Sequence, residues 1–247
     1  DLEEFMKVRS RYLLYDWFWT KCLIELFNSL KYSNLIFDLD GTLWDSRATL
    51  VENWSEVLIN FDLIQNPLKI DDMNQYMGLL PKDILRDLFP EISDEMIDLI
   101  LIEIVKNENK IIRKYGGKLY KDVEETLNEL KSKYDLYIVS NCQDGYIEAF
   151  IEFFGFEELF KDFLSHGKTG KSKDFNVQLL MQRNELIAES SVYIGDTSLD
   201  YEAATFNGLD FIYCNYGFGQ MDDSGEDFQS IASLADLLKI LWLIIYN

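Results

Sequence analysis

Leu35-Ile36-Phe37-Asp38-Leu39-Asp40-Gly41-Thr42-Leu43 is an apolar run that ends in two carboxylates and breaks at Gly-Thr. Residues i and i+2 of a strand share a face. The run therefore predicts a buried strand over 34–39 with Asp38 and Asp40 at its C-terminal mouth. Two acids crowded at a strand end repel each other, and they need a cation or a shared proton to coexist. A magnesium site beside a nucleophile satisfies that need.

The same grammar recurs further along. Leu136-Tyr137-Ile138-Val139 predicts a buried strand ending in Ser140-Asn141, and Val192-Tyr193-Ile194 one ending in Gly195-Asp196. Shorter strands are expected at 163–165 and 211–213. Helical spacing is read over 123–134, 146–154 and 175–184, and from 201 onward. Strands that are continuously apolar and alternate with helices indicate a parallel α/β sheet with a Rossmann-like core. Ligands of such sheets bind beyond the carboxyl ends of the strands. Asp38 and Asp40, Ser140 and Asn141, and Asp196 then converge on one mouth.

Residues 47–116 break the alternation. Long helical stretches (48–61, 80–88, 93–114) carry no convincing strand, and the three prolines of the chain, Pro67, Pro81 and Pro90, all fall here. The expected organisation is an N-terminal helical extension over 1–32, an α/β core over 33–46 and 117–247, and an inserted helical subdomain over 47–116. The connections near 43–47 and 116–120 would be its hinges. An amphipathic helix is read over 12–30 and a closing helix over 237–245.

A net charge of −21 argues against nucleic acid and against docking on an anionic membrane. The apolar stretch over 12–30 is interrupted by Asp16, Lys21 and Glu25, so no membrane span is expected. Cys22, Cys142 and Cys214 fit no zinc spacing, and an odd count makes a poor disulfide framework. Reduced thiols in a cytoplasmic protein are the simple reading. His166, the single histidine, excludes a His-cluster metal site and is read as structural.

Four motifs in order resemble the haloacid dehalogenase superfamily, in the branch similar to phosphoglycolate phosphatases. They are Asp38-Leu39-Asp40-Gly41-Thr42, Ser140-Asn141, a lysine in Gly170-Lys171-Ser172-Lys173, and Gly195-Asp196-Thr197-Ser198-Leu199-Asp200. The resemblance spans roughly 33 to 240, and 47–116 sits where such enzymes carry a helical cap. It implies Asp38 as nucleophile and Asp40 as general acid and base, with Thr42, Ser140 and Asn141 contacting phosphate. It implies Mg2+ held by Asp38, the Asp40 carbonyl and Asp196, with Asp200 ligating directly or acting through water or through Lys173. Neither Lys171 nor Lys173 is followed by the proline common among relatives. Lys173 is favoured as the phosphate lysine because Ser172-Lys173 just before the helix over 175–184 resembles the pattern of that branch, with Lys171 as the alternative. Met77-Gly78-Leu79-Leu80-Pro81-Lys82 resembles the cap loop that dips toward the mouth, so Gly78 and Lys82 are candidates for substrate contact.

The implied activity is hydrolysis of a small phosphorylated metabolite through an aspartyl-phosphate. Phosphoglycolate, nucleoside monophosphates, sugar phosphates and pyrophosphate all remain open as substrates. A sugar-phosphate mutase is the alternative on the same scaffold. A vestigial site on a partner-binding protein is the alternative from another class.

Overall fold

In the computed structural model, which describes residues 31–221 and 228–243, β1 (Asn34–Phe37) lies between two strands and has no exposed residue. Its run of apolar side chains follows from cover on both faces. The remaining strands are β2 (Trp44–Asp45), β3 (Lys118–Leu119), β4 (Asp135–Ser140), β5 (Phe160–Ser165), β6 (Ser191–Gly195), β7 (Asp210–Cys214) and β8 (Gln229–Ile231). Six of them form an all-parallel sheet in the order β5-β4-β1-β6-β7-β8. The chain reverses at β1, with β4 on one side and β6 on the other. The mouth above β1 is thus the crevice where ligands of open parallel sheets bind.

On one face, helices Lys173–Arg183 and Ser198–Phe206 set Val177, Leu180, Ala203 and Ala204 against Ile36, Tyr137 and Tyr193. Each large apolar side chain fully buried in this way contributes about 1.5–3 kcal/mol. Elsewhere in the core, Trp44, Phe150, Phe154 and Phe156 form an edge-on and stacked aromatic group.

Between β2 and β3 every described element is helical: Arg47–Asn60, Ile70–Met73, a short 3-10 turn over Asn74–Tyr76, Pro81–Leu88 and Asp94–Tyr115. The last is long and well specified. Ser93 accepts from the Met96 N–H at its start. Asp94 and Glu95 lie in its first turn and Arg113 and Lys114 in its last, matching the helix dipole. Its inward stripe is Ile97, Ile100, Ile104, Glu108 and Ile112. The two connections expected as hinges pair with each other, since β2 and β3 form an antiparallel ladder. The helices and the sheet belong to one unit over Tyr32–Leu237.

Two local details differ from expectation. β1 ends at Phe37, so Asp38 and Asp40 lie in the turn after the strand; only the Asp38 N–H continues the ladder, to Ile194 O at 2.9 Å. β8 adds an edge strand that was not expected, because Gln229-Ser230-Ile231 has too little apolar character to stand out. The closing helix is described over Asp236–Leu243. The N-terminal extension, with its helix over 12–30 and Cys22, lies outside the described residues. No helix among the described residues is long and apolar enough to cross a membrane. Cys142 and Cys214 are buried and unbonded.

Candidate active site

The site grows from three strand ends and two helix starts. After β1, Gly41 turns the chain at φ +92, and a Cβ there would come within 2.2 Å of the Asp196 carboxylate. Only glycine permits this approach. After β6, Thr197 caps helix Ser198–Phe206 by accepting from the Asp200 N–H, and the Asp200 carboxylate reaches back. Asp200 Oδ2 accepts from the N–H groups of Asp196 and Thr197 at 3.2 and 2.9 Å and from the Thr197 hydroxyl at 2.7 Å. Helix Lys173–Arg183 begins at Lys173 itself, which sends its side chain into the mouth.

Lys173 Nζ donates to Asp38 Oδ1 at 2.8 Å and to Asp200 Oδ1 at 2.6 Å, with all three side chains buried. Lys171, the alternative, stands over the Phe175 ring, 5.5 Å from its centroid. Carboxylate oxygens of Asp38, Asp196 and Asp200 lie within 4.8 Å of one another. Asp40 faces elsewhere: its Oδ1 accepts from the Ser46 hydroxyl and from the Tyr146 hydroxyl at 2.9 Å.

Asp38, Asp40, Ser140, Asn141 and Lys173 line a cavity of about 60 Å³ beneath the helical insertion, and Gly78 lines it from above. Gly78, at φ +85, sets its carbonyl to accept from Asn141 Nδ2 at 3.0 Å. A family model for haloacid dehalogenase-like hydrolases matches residues 35–214, which include every one of these strand ends.

The chain belongs to the haloacid dehalogenase-like hydrolase family. It is 24% identical to a 5'-nucleotidase of Pseudomonas aeruginosa, covering 86% of this chain and 97% of that protein. It is 28% identical to a phosphoglycolate phosphatase of Photobacterium profundum, covering 88% and 99%. Its fold matches a haloacid dehalogenase-like family hydrolase of Streptococcus pneumoniae with a TM-score of 0.73, at 20% identity over 85% of this chain and 98% of that one.

Within this family member, burial decides the electrostatics. It pushes the Asp40 carboxyl up to about 6, against the hydrogen bonds from Ser46 and Tyr146 that pull it down. Burial, reinforced by the Asp200 charge, pushes Asp196 up to about 7, although the N–H groups of Phe218 and Gly219 donate to it. Asp38 is raised for the same primary reason, with Lys173 opposing. Burial alone would lower the Lys173 ammonium, but the charges of Asp200 and Asp38 outweigh it and raise it. With all three carboxylates ionised, the single ammonium would leave two buried negative charges. A divalent cation held by these oxygens would balance them, and an all-oxygen donor set suits magnesium.

Two sequence candidates are placed differently from expectation. The Thr42 hydroxyl does not line the cavity; it donates to Asp196 Oδ1 at 3.1 Å, because the Gly41 turn folds residue 42 back under that carboxylate. Lys82 also lies off the cavity and pairs with Asp98 at 2.5 Å. In helix Pro81–Leu88 the inward positions are Ile84 and Leu85, which turn Lys82 outward. His166 is likewise away from the cavity, with Nδ1 at 2.8 Å from the Lys171 carbonyl.

Ser46, Tyr146, Glu108 and Gln143 escaped the sequence reading. Glu108 carries the one signal that could have exposed it: a carboxylate in the isoleucine stripe of an amphipathic helix. It is buried, lines the cavity, and accepts from Gln143 Nε2, from Trp54 Nε1 at 3.3 Å and from Asn53 Nδ2 at 3.4 Å. Burial, with the Asp40 charge adding, pushes its carboxyl up to about 7.

Proposed function

We propose that this protein is a magnesium-dependent phosphatase that hydrolyses a small phosphate monoester through an aspartyl-phosphate on Asp38. The observation that carries the reading is the Lys173 ammonium held between Asp38 and Asp200 at a cavity that also contains a protonatable Asp40. Asp38 attacks phosphorus, and the bond from phosphorus to the leaving oxygen breaks. Asp40 gives its proton to that oxygen, a task suited to a carboxyl near 6. Water then attacks the acyl phosphate and yields a proton to Asp40, which frees Asp38 and inorganic phosphate.

Lys173 steadies the negative charge spread over the phosphoryl oxygens, and Ser140 lines the same cavity. Asp38 and Asp196 would hold magnesium, with the Asp40 carbonyl as a further ligand, while Asp200 acts through Lys173. When bound, the metal neutralises charge that builds on the phosphoryl oxygens. Asn141 ties the strand end to the Gly78 carbonyl, so the helices over 47–116 act as a cap that excludes water during transfer. Relatives named as phosphoglycolate phosphatases and as a 5'-nucleotidase support a small phosphorylated metabolite as substrate. A cytoplasmic setting, where magnesium and such metabolites meet, goes with this reading.

A panel of phosphate esters assayed for phosphate release tests it. Turnover should vanish with chelator, return with magnesium and be inhibited by calcium, which accepts looser geometry. Full turnover in chelator contradicts the metal role. Isomerisation of a sugar phosphate without phosphate release points to a mutase instead.

A further inference from the structure

Glu108 is costly where it stands. A buried carboxylate loses several kcal/mol of hydration unless a cation or enough donors replace it. None of the ion pairs among the described residues includes Glu108; its partners are the neutral donors of Asn53, Trp54 and Gln143. An isoleucine would continue the helix stripe at that position and bury more cheaply. The carboxylate therefore serves something other than packing.

Its location indicates what. The Asp40 charge acts on Glu108, and both side chains line the same cavity. Asp40 is the group that protonates the departing oxygen, so the wall beyond it receives the leaving alcohol. That wall is apolar, with Leu50, Met73 and Ile84, and carries the carboxylate of Glu108 beside Gln143. Lys173 is the one cation in the lining, and it is engaged by Asp38 and Asp200. No other cation lines the cavity to meet a second anionic group.

We propose that Glu108 and Gln143 form a leaving-group subsite that selects esters of small alcohols bearing a hydroxyl or ammonium donor and rejects those bearing a carboxylate. The inference rests on the phosphatase reading and deepens it. A hydroxyl or ammonium of the leaving alcohol donates to Glu108, and Gln143 offers its amide as a second contact. A carboxylate in the same place meets like charge in a low-dielectric pocket and is disfavoured. This ordering is opposite to the one expected of an enzyme built for phosphoglycolate.

Phosphoethanolamine, glycerol 1-phosphate and phosphoglycolate are similar in size and differ in charge, so the intact chain with magnesium at pH 8 can be tested on all three. p-Nitrophenyl phosphate is assayed alongside. The wild type should favour each of the first two over phosphoglycolate in kcat/KM by roughly tenfold or more. In Glu108→Gln, which keeps shape and removes charge, that ratio should fall by about the same factor. The absence of phosphate release from p-nitrophenyl phosphate and from all three esters alike overturns the phosphatase reading itself. Turnover of p-nitrophenyl phosphate with a wild-type preference for phosphoglycolate leaves that reading intact and overturns the subsite. A ratio unchanged in a folded Glu108→Gln also overturns it.

Discussion

Asp38 and Asp200 share a buried ammonium, whereas Glu108, on the wall of the same cavity, has only neutral donors. The first cluster is built from strand ends and helix starts of the sheet; the second hangs from a helix of the insertion. The difference separates two tasks. A cluster with a fixed cation and surplus carboxylates is suited to hold a phosphoryl group and a metal. A lone carboxylate among apolar side chains is suited to sort what is attached to that phosphoryl group. On this reading, chemistry and selection fall to different elements that line one small cavity.

The largest expected effect breaks the sheet-side cluster. Asp38→Asn should retain the fold and lower turnover by several orders of magnitude, because an amide does not attack phosphorus. Steady-state phosphate release measures it, and near-wild-type turnover would remove Asp38 from the nucleophile's place. Next comes Lys173→Met, which keeps the aliphatic stem and deletes the charge. Turnover should fall about 10²–10³-fold. Metal-free stability should fall by about 3 kcal/mol, since two carboxylates lose their shared partner. Magnesium should restore part of that stability but little of the turnover. Denaturation with and without magnesium, alongside kinetics, checks both halves.

A smaller effect sharpens the insertion side. The Glu108 carboxyl is raised from 4.5 to about 7 in the folded protein. Between those values the folded state holds a proton that the unfolded state has released. Its contribution is therefore fully present below pH 4.5 and is lost as pH rises through about 7. Glu108→Gln carries no such proton. In metal-free buffer its melting temperature relative to wild type should rise between pH 5 and pH 8, by the equivalent of at most about 3 kcal/mol. A difference that stays constant with pH would mean that the Glu108 carboxyl is not perturbed. Smallest of all, Lys82→Ala should leave the ranking of esters unchanged, because the exposed pair with Asp98 is worth little. A changed ranking would bring Lys82 back to the cavity.

What was legible in the sequence follows the same division. Asp38, Asp40, Ser140, Asn141 and Asp196 sit at ends of apolar strands, and a parallel sheet gathers such ends by construction. Lys173 could be ranked above Lys171 only by its place before a helix, and the structure makes it that helix's first residue. Thr42 shows the limit of reading by adjacency: it follows Gly41, whose turn commits the hydroxyl to Asp196. Lys82 shows another, since one helical step separates a side chain facing the cavity from one facing Asp98. Gln143 and Tyr146 depend on packing between elements 35 or more residues apart, which no local pattern encodes, whereas Glu108 was marked only by its place in an isoleucine stripe.

The aspartyl-phosphate is the central claim, and it can be caught directly. Asp40→Asn lacks the proton donor and the base, yet an ester with a good leaving group needs little protonation in the first step. With magnesium and p-nitrophenyl phosphate, this variant should release p-nitrophenol once per site, then stall with phosphate bound to protein. Rapid quenching, borohydride reduction of the acyl phosphate and peptide mass spectrometry should place the modification on Asp38. Modification of another residue, or phosphate release with no trapped acyl phosphate, would contradict the account.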